Sequence, residues 1–316
     1  MGEFMRLRWR YWLVCVFAGV LSMALAAAAS AQVVVTVDGD TAYATISLTD
    51  NNGVTYDADV TIVFDSPENL TPQSLNLTAE LVDPADINER LRNDGIGIGN
   101  SNCGLANLSC PTIDPEFPVM ITVEPLDLPW LFSNGFDGDS DGSGVLSFLN
   151  TYQMDVHTHD LTYTDNSKYR LYKAPVDSYF HDVTNDVMAG SVRVRGRGGD
   201  FSQFVVASDP RDGLTVSLQK LVELNIRVLA AALADGLRLD LLGLLAQIDV
   251  LILIDVVGAL AVIDDLIDLI DDSAGTDIAN IWTAHRDVVN DAGQMSELAK
   301  TLRFSATRIL GGSANP

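Results

Sequence analysis

The hydrophobic period of this chain changes once, near Asp212, and that change constrains the fold more than any other feature. Between Gln32 and Asp212 apolar and polar residues alternate, as in "VVVTVDGDTAYATISL", "DADVTIVF" and "SLNLTAELV". Alternation over four to eight residues is the mark of a half-buried strand. Further runs follow at "PVMITVEP", "VLSFL", "YQMDVHTHDLTY", "KYRLYKA", "GSVRVRG" and "FSQFVVAS". About ten short strands at this spacing predict an antiparallel β-sandwich over residues 32–212. Asp38-Gly39-Asp40 marks a hairpin turn between the first two. The segment "DPADINERLR" reads as one short helix, with Asp83 as its cap and Pro84 at its first position. No helix long enough to link parallel strands precedes residue 213, which excludes a doubly wound fold.

Beyond Asp212 the period becomes 3.6. "LTVSLQKLVELNIRVLAAALADG" predicts an amphipathic helix ending at Gly236, residues 239–272 a second, and the segment from Thr276 or Asp277 to Gly311 a third. The fold class is therefore α+β, a sandwich followed by a C-terminal three-helix bundle over residues 213–316.

Which solvent the second helix meets is the hardest question. Leu241 to Ile263 is a run of 23 residues with no basic group, fifteen of them Leu, Ile or Val. At roughly −0.5 kcal/mol each, these favour insertion into a membrane by about 7 kcal/mol. Asp249 and Asp255, at about +3 kcal/mol each, cancel nearly all of it. The flanks decide. A span over 241–263 would leave Arg227 and Arg238 outside and Asp264, Asp265, Asp268, Asp271 and Asp272 within, against the positive-inside rule. Asp264, Asp268, Asp271 and Asp272 also share one helical face, opposite Leu266, Ile267, Leu269 and Ile270. The expectation is a soluble bundle.

The N-terminal segment "MRLRWRYWLVCVFAGVLSMALAAAASAQ" begins with Arg6, Arg8 and Arg10, continues apolar, and ends in small residues. It predicts a signal peptide over residues 1–31 and an exported product, periplasmic or at the cell surface. A formal net charge of −24 makes nucleic acid or anionic lipid a poor partner. Cys103 and Cys110, in "CGLANLSC", would pair as a disulfide in an oxidising compartment. A bridge closing so short a loop contributes roughly 2–3 kcal/mol.

Three constellations could carry chemistry. In "FDGDSDGSG", Asp137, Asp139 and Asp141 fall at alternate positions before Gly142, as in the front half of a calcium loop, with the Ser143 carbonyl a further ligand. Phe148 stands where such a loop has its bidentate Glu, and a solvated Asp/Gly turn explains the same residues. In "DVHTHD", Asp155, His157 and His159 point to one side of a strand, and two imidazoles at this spacing can begin a transition-metal site. His181 or Asp182 would supply the third ligand. In "GSVRVRGRGG", Arg193, Arg195 and Arg197 line one face and Val192 and Val194 the other. They can pair with carboxylates on an adjoining strand or form a docking stripe for an acidic partner.

The stretches "THDLTYT", "RLYKAP", "GSVRVRGRGGDFSQFVVASD" and "IWTAHRDVVNDAGQMSELAKTLRFS" resemble a family of uncharacterised exported bacterial proteins known as a domain of unknown function. The resemblance implies export and a single-family architecture, and carries no activity, ligand or catalytic residue. The expectation is an exported non-enzymatic binding or structural protein of the cell envelope, calcium-stabilised through Asp137, Asp139 and Asp141, with any other cofactor open. Its rivals are a metal-dependent hydrolase using His157 and His159, and a surface-fibre subunit that assembles by strand addition.

Overall fold

In the computed structural model, residues 31–92, 110–126, 145–164, 167–188, 192–286 and 288–311 are described. The strands, in chain order, are β1 (Ala31–Gln32), β2 (Val34–Asp38), β3 (Thr41–Thr49), β4 (Thr55–Phe64), β5 (Pro67–Glu68), β6 (Leu77–Leu81), β7 (Thr112–Ile113) and β8 (Val119–Val123). After these come β9 (Ser147–Leu149), β10 (Tyr152–Thr158), β11 (Tyr169–Ala174), β12 (His181–Asp182), β13 (Thr184–Met188), β14 (Val192–Gly198), β15 (Gln203–Ser208) and β16 (Ile281–Thr283). The helices are α1 (Pro72–Leu75), α2 (Pro84–Arg92), α3 (Gly213–Ala230), α4 (Asp235–Ile254), α5 (Val256–Ser273) and α6 (Asp291–Ile309).

The chain is α+β, and every strand pairing is antiparallel. One sheet runs β1-β6-β8-β15-β11-β12 with β7 beside β15; a second runs β13-β14-β10-β4-β3-β2; a small third runs β16-β9-β5. The ten alternating runs all became strands. The six others are two- or three-residue pairings and β13, too short or too polar to show a period. The hairpin at residues 38–40 is present, with Gly39 at φ +61°, a conformation that glycine adopts without strain. Asp83 accepts the Ala85 amide at the start of α2, as its sequence predicts.

Alternation puts one side of each strand inward. Along β10, Tyr152, Met154, Val156 and Thr158 are buried while Gln153, Asp155 and His157 are half-exposed. Inward residues of the two large sheets, among them Ile46, Val60 and Val156 from one and Leu77, Ile121 and Phe204 from the other, belong to one core. An aromatic knot sits within it. Tyr152 stacks on Phe201 at 4.6 Å and Phe148 on Trp282 at 5.2 Å. Through Trp282 on β16, a segment beyond residue 212 is built into the β core.

The helices enclose a second core of Leu224, Leu241, Leu245, Ile248, Ile263, Leu266, Met295 and Leu302, with others. Here the sequence expectations need correction. Four helices follow residue 212, not three. The first ends at Ala230, so Gly236 lies inside α4 rather than stopping α3. The long second helix is broken at Asp255, which ends α4 and caps α5: its carboxylate accepts the Gly258 amide, and its backbone leaves the helical region at φ −149°, ψ 83°. An uninterrupted apolar run hides such a break, because Asp reads as a helix residue until its side chain competes for the backbone. The last helix begins at Asp291, fifteen residues later than Thr276, because Ile281–Thr283 is drawn into pairing with β9. His285, read from sequence as helical, lies in a turn. Among the described residues no helix is long and apolar enough to cross a membrane.

Candidate functional site

Strand register assembles the most chemically suggestive cluster. His157 on β10 lies directly opposite Asp59 on β4, and Asp59 in turn lies opposite Thr45 on β3. On the other side His157 faces Arg193 on β14. Thr45, Asp59, His157 and Arg193 thus form one polar row across four strands on the outer face of the second sheet. His159 follows β10, anchored by its amide to the Asp57 carbonyl, and its ring returns toward the same row. His159 Nε2 lies 2.9 Å and His157 Nδ1 3.9 Å from Asp59 Oδ2. One donor atom from each of the three residues lies within 4.8 Å of the others, a spacing that an ion can draw together. Two imidazoles and a carboxylate suit Zn²⁺, which takes three protein ligands and keeps a fourth position open.

The surroundings tune these donors. Burial opposes charge on Asp59, but hydrogen bonds from His159 and from the Thr45 hydroxyl, at 3.0 Å, outweigh it and hold the carboxyl below its usual range. The Thr45 bond also fixes the carboxylate's orientation, as outer partners of metal ligands do. Partial burial, then the Arg193 guanidinium, depress the His157 pKa. Both shifts favour the deprotonated forms that bind metal. The Arg193 charge itself opposes a cation.

His181 does not join this cluster. It lies on β12, and its Nε2 is 3.2 Å from Glu297 Oε1 on α6. Asp59, 98 residues before His157 in sequence, takes the place expected of it. No local spacing could have announced that; only the β4–β10 register brings it there. Asp155 stays with the arginines: Arg195 reaches it at 2.9 Å and Arg193 at 3.5 Å, while Arg195 also meets Asp186 at 3.5 Å and Arg197 donates to the Thr151 hydroxyl. Asp137, Asp139, Asp141 and Ser143 lie outside the described residues, as does Cys103, the expected partner of the half-buried Cys110.

A second polar assembly lies where the first sheet meets the helices. Lys173 Nζ on β11 sits 2.6 Å from Glu297 and 2.7 Å from Asp200. Glu297 also accepts the Gly199 amide and the His181 ring. Burial raises its pKa, but Lys173 and His181 more than reverse this and hold it at about 2. Beside it, Lys220 on α3 pairs with Asp182 at 2.9 Å, and Arg211 with Asp209 at 2.7 Å under the Tyr172 hydroxyl. A cleft of about 260 Å³ opens beside Lys173, His181 and Glu297. Every one of these charges already has a partner of opposite sign, and the network joins α3 and α6 to the sheet. Nothing in the sequence singled out Lys173 or Glu297; Asp182, expected as an alternative third metal ligand, pairs with Lys220 instead.

No curated protein and no solved structure matches the chain. One family model does, over residues 17–310. The chain belongs to the family of unknown function DUF6689.

Proposed function

We propose that this is an exported, non-enzymatic binding protein of the cell envelope that holds one divalent transition-metal ion, Zn²⁺ in the first instance, at Asp59, His157 and His159. The observation that carries the reading is the convergence of those three donor groups through strand register. The export part rests on the basic, apolar and small-residue order of residues 1–31. We read the two large sheets as a sandwich whose outer face presents the ion, and the four helices as a bundle.

The placement favours binding over catalysis. The three side chains lie on an open sheet face, with His159 and Asp59 nearly half-exposed. A hydrolase needs a recess that seats its substrate beside the metal-bound water and a base to take that water's proton. The cleft of about 260 Å³ described above lies beside His181, not beside these three side chains.

Calorimetric titration of the metal-free protein with Zn²⁺ tests the reading. One ion should bind per chain, and the paired substitution His157→Ala and His159→Ala should abolish that binding while leaving the circular dichroism spectrum unchanged. An undiminished isotherm in the double variant would refute the assignment. A Ca²⁺ titration of the same variant reports separately on the Asp137–Ser143 loop, which the substitutions do not touch.

A further inference from the structure

Helix α4 is apolar on two faces. Leu241, Leu245, Ile248 and Ile252 are buried in the helical core. On the opposite face Leu239, Gly243, Ala246, Val250 and Leu253 follow one another at steps of four, three, four and three, the spacing of a coiled-coil seam. That seam is in water: Leu239 is 69% exposed, Val250 58% and Leu253 61%, with Ile254 and Val257 beside it at 77% and 67%. A helix apolar all round is ordinarily enclosed on all sides.

Gly243 supplies a second, independent observation. Glycine is among the poorest residues for a helix interior, and its usual justification there is close approach by another backbone. Among the described residues nothing approaches: a Cβ built on Gly243 meets no atom within 4 Å.

We propose that this face of α4 is the contact surface of a homodimer, in which two α4 helices pack antiparallel about a two-fold axis near Ala246. The sequence is self-complementary in that arrangement. Leu239 of one copy meets Leu253 of the other, Gly243 meets Val250, and Ala246 meets itself, so that a small residue receives a large one. The charges agree. In the same register Asp240 flanks Ile254 and Asp249 flanks Leu242, so no carboxylate of the seam opposes another. A lipid surface fits less well. Helices that lie on membranes carry Lys and Arg along the polar face. The only basic residue of α4 is Arg238, whose guanidinium is held by the carbonyls of Ala231 and Leu233. The proposal does not depend on the metal site.

Analytical ultracentrifugation across a concentration series, with the full chain in 0.15 M salt, tests it. The wild type should pass from monomer to dimer. Gly243→Gln, which improves the helix and whose Cβ meets no described atom within 4 Å, should remain monomeric over the same range with an unchanged melting temperature. Ala246→Cys should give a disulfide-linked dimer on mild oxidation, and Val54→Cys, exposed on a distant turn, should not. A wild type that stays monomeric throughout, a dimer that survives Gly243→Gln, or co-sedimentation of the monomer with phosphatidylcholine vesicles would overturn the proposal.

Discussion

Replacing Glu297 by Gln removes one charge from one of the most enclosed ion pairs among the described residues and nothing else of comparable size. The Glu297 side chain is 2% exposed and Lys173 3%, with 2.6 Å between their charged atoms. The carboxyl is held at about 2, against an ordinary 4.5. At 1.36 kcal/mol per pKa unit, that displacement corresponds to about 3 kcal/mol of folding stability at neutral pH. The figure agrees with the roughly 3–5 kcal/mol lost when one partner of a buried pair is removed and the other stays charged. For a chain of this size about 2 °C accompanies each kcal/mol, so the melting temperature should fall by about 6 °C. Acid supplies the discriminating measurement. The folded pKa lies below the unfolded one, so the contribution is complete above about pH 4.5 and is lost as the pH falls toward about 2. Urea unfolding curves of wild type and variant should therefore lie farthest apart at pH 7 and converge between pH 4.5 and 2. A gap that persists undiminished at pH 2.5 would show that the variant acts through packing and that the charge pair contributes little. Equal stability at pH 7 would refute the reasoning outright.

Two further outcomes follow from particular contacts. Gly293→Ala would set a Cβ against the Asn150 carbonyl and the Asn290 side chain that caps α6, so the helix must shift; urea unfolding should show a loss of about 1–3 kcal/mol, and an unchanged midpoint would contradict the packing described. Arg193→Met removes the cation beside His157, so Zn²⁺ affinity measured by competition with a chromophoric chelator should rise several-fold; weaker binding would mean that Arg193 orients the ligands more than it repels the ion.

The β part of the chain was legible because alternation is a local signal. Each of the ten long runs formed a strand, and the sides assigned to Val192, Arg193, Val194 and Arg195 are those observed. Register was not legible, since it depends on which runs become neighbours, and for that reason Asp59 was missed as a partner of His157 and His159. The helical part was legible in period and misread in length. Asp255 lies in a run so apolar that neither it nor Gly258, three residues on, announces the break, and residues 276–290 contain enough apolar positions to imitate a helix. Ile281–Thr283 pair with β9 instead, where Trp282 stacks on Phe148 in the aromatic core. The ionic network was not legible either: Lys173 is separated from Glu297 by 124 residues, and each alone looks like a surface residue.

The same network bears on the acidity of the whole molecule. Four bases are buried among the described residues, Arg170, Lys173, Arg211 and Lys220, and four acids, Asp182, Asp209, Asp291 and Glu297. Buried charge is tolerated only when paired, so among the described residues the interior is close to neutral and the excess of carboxylates is carried outside. With 19 Lys and Arg against 43 Asp and Glu in the chain, placing bases inside leaves fewer still to balance the surface. Arg303 and Lys300 on α6 answer only Asp264 and Asp271 on α5. An exterior of this kind repels other polyanions and is repelled by its own copies, except where carboxylates are absent. On α4 the seam positions Leu239, Gly243, Ala246, Val250 and Leu253 are uncharged while Asp240 and Asp249 flank them, so the proposed contact between copies would have to select its partner by shape.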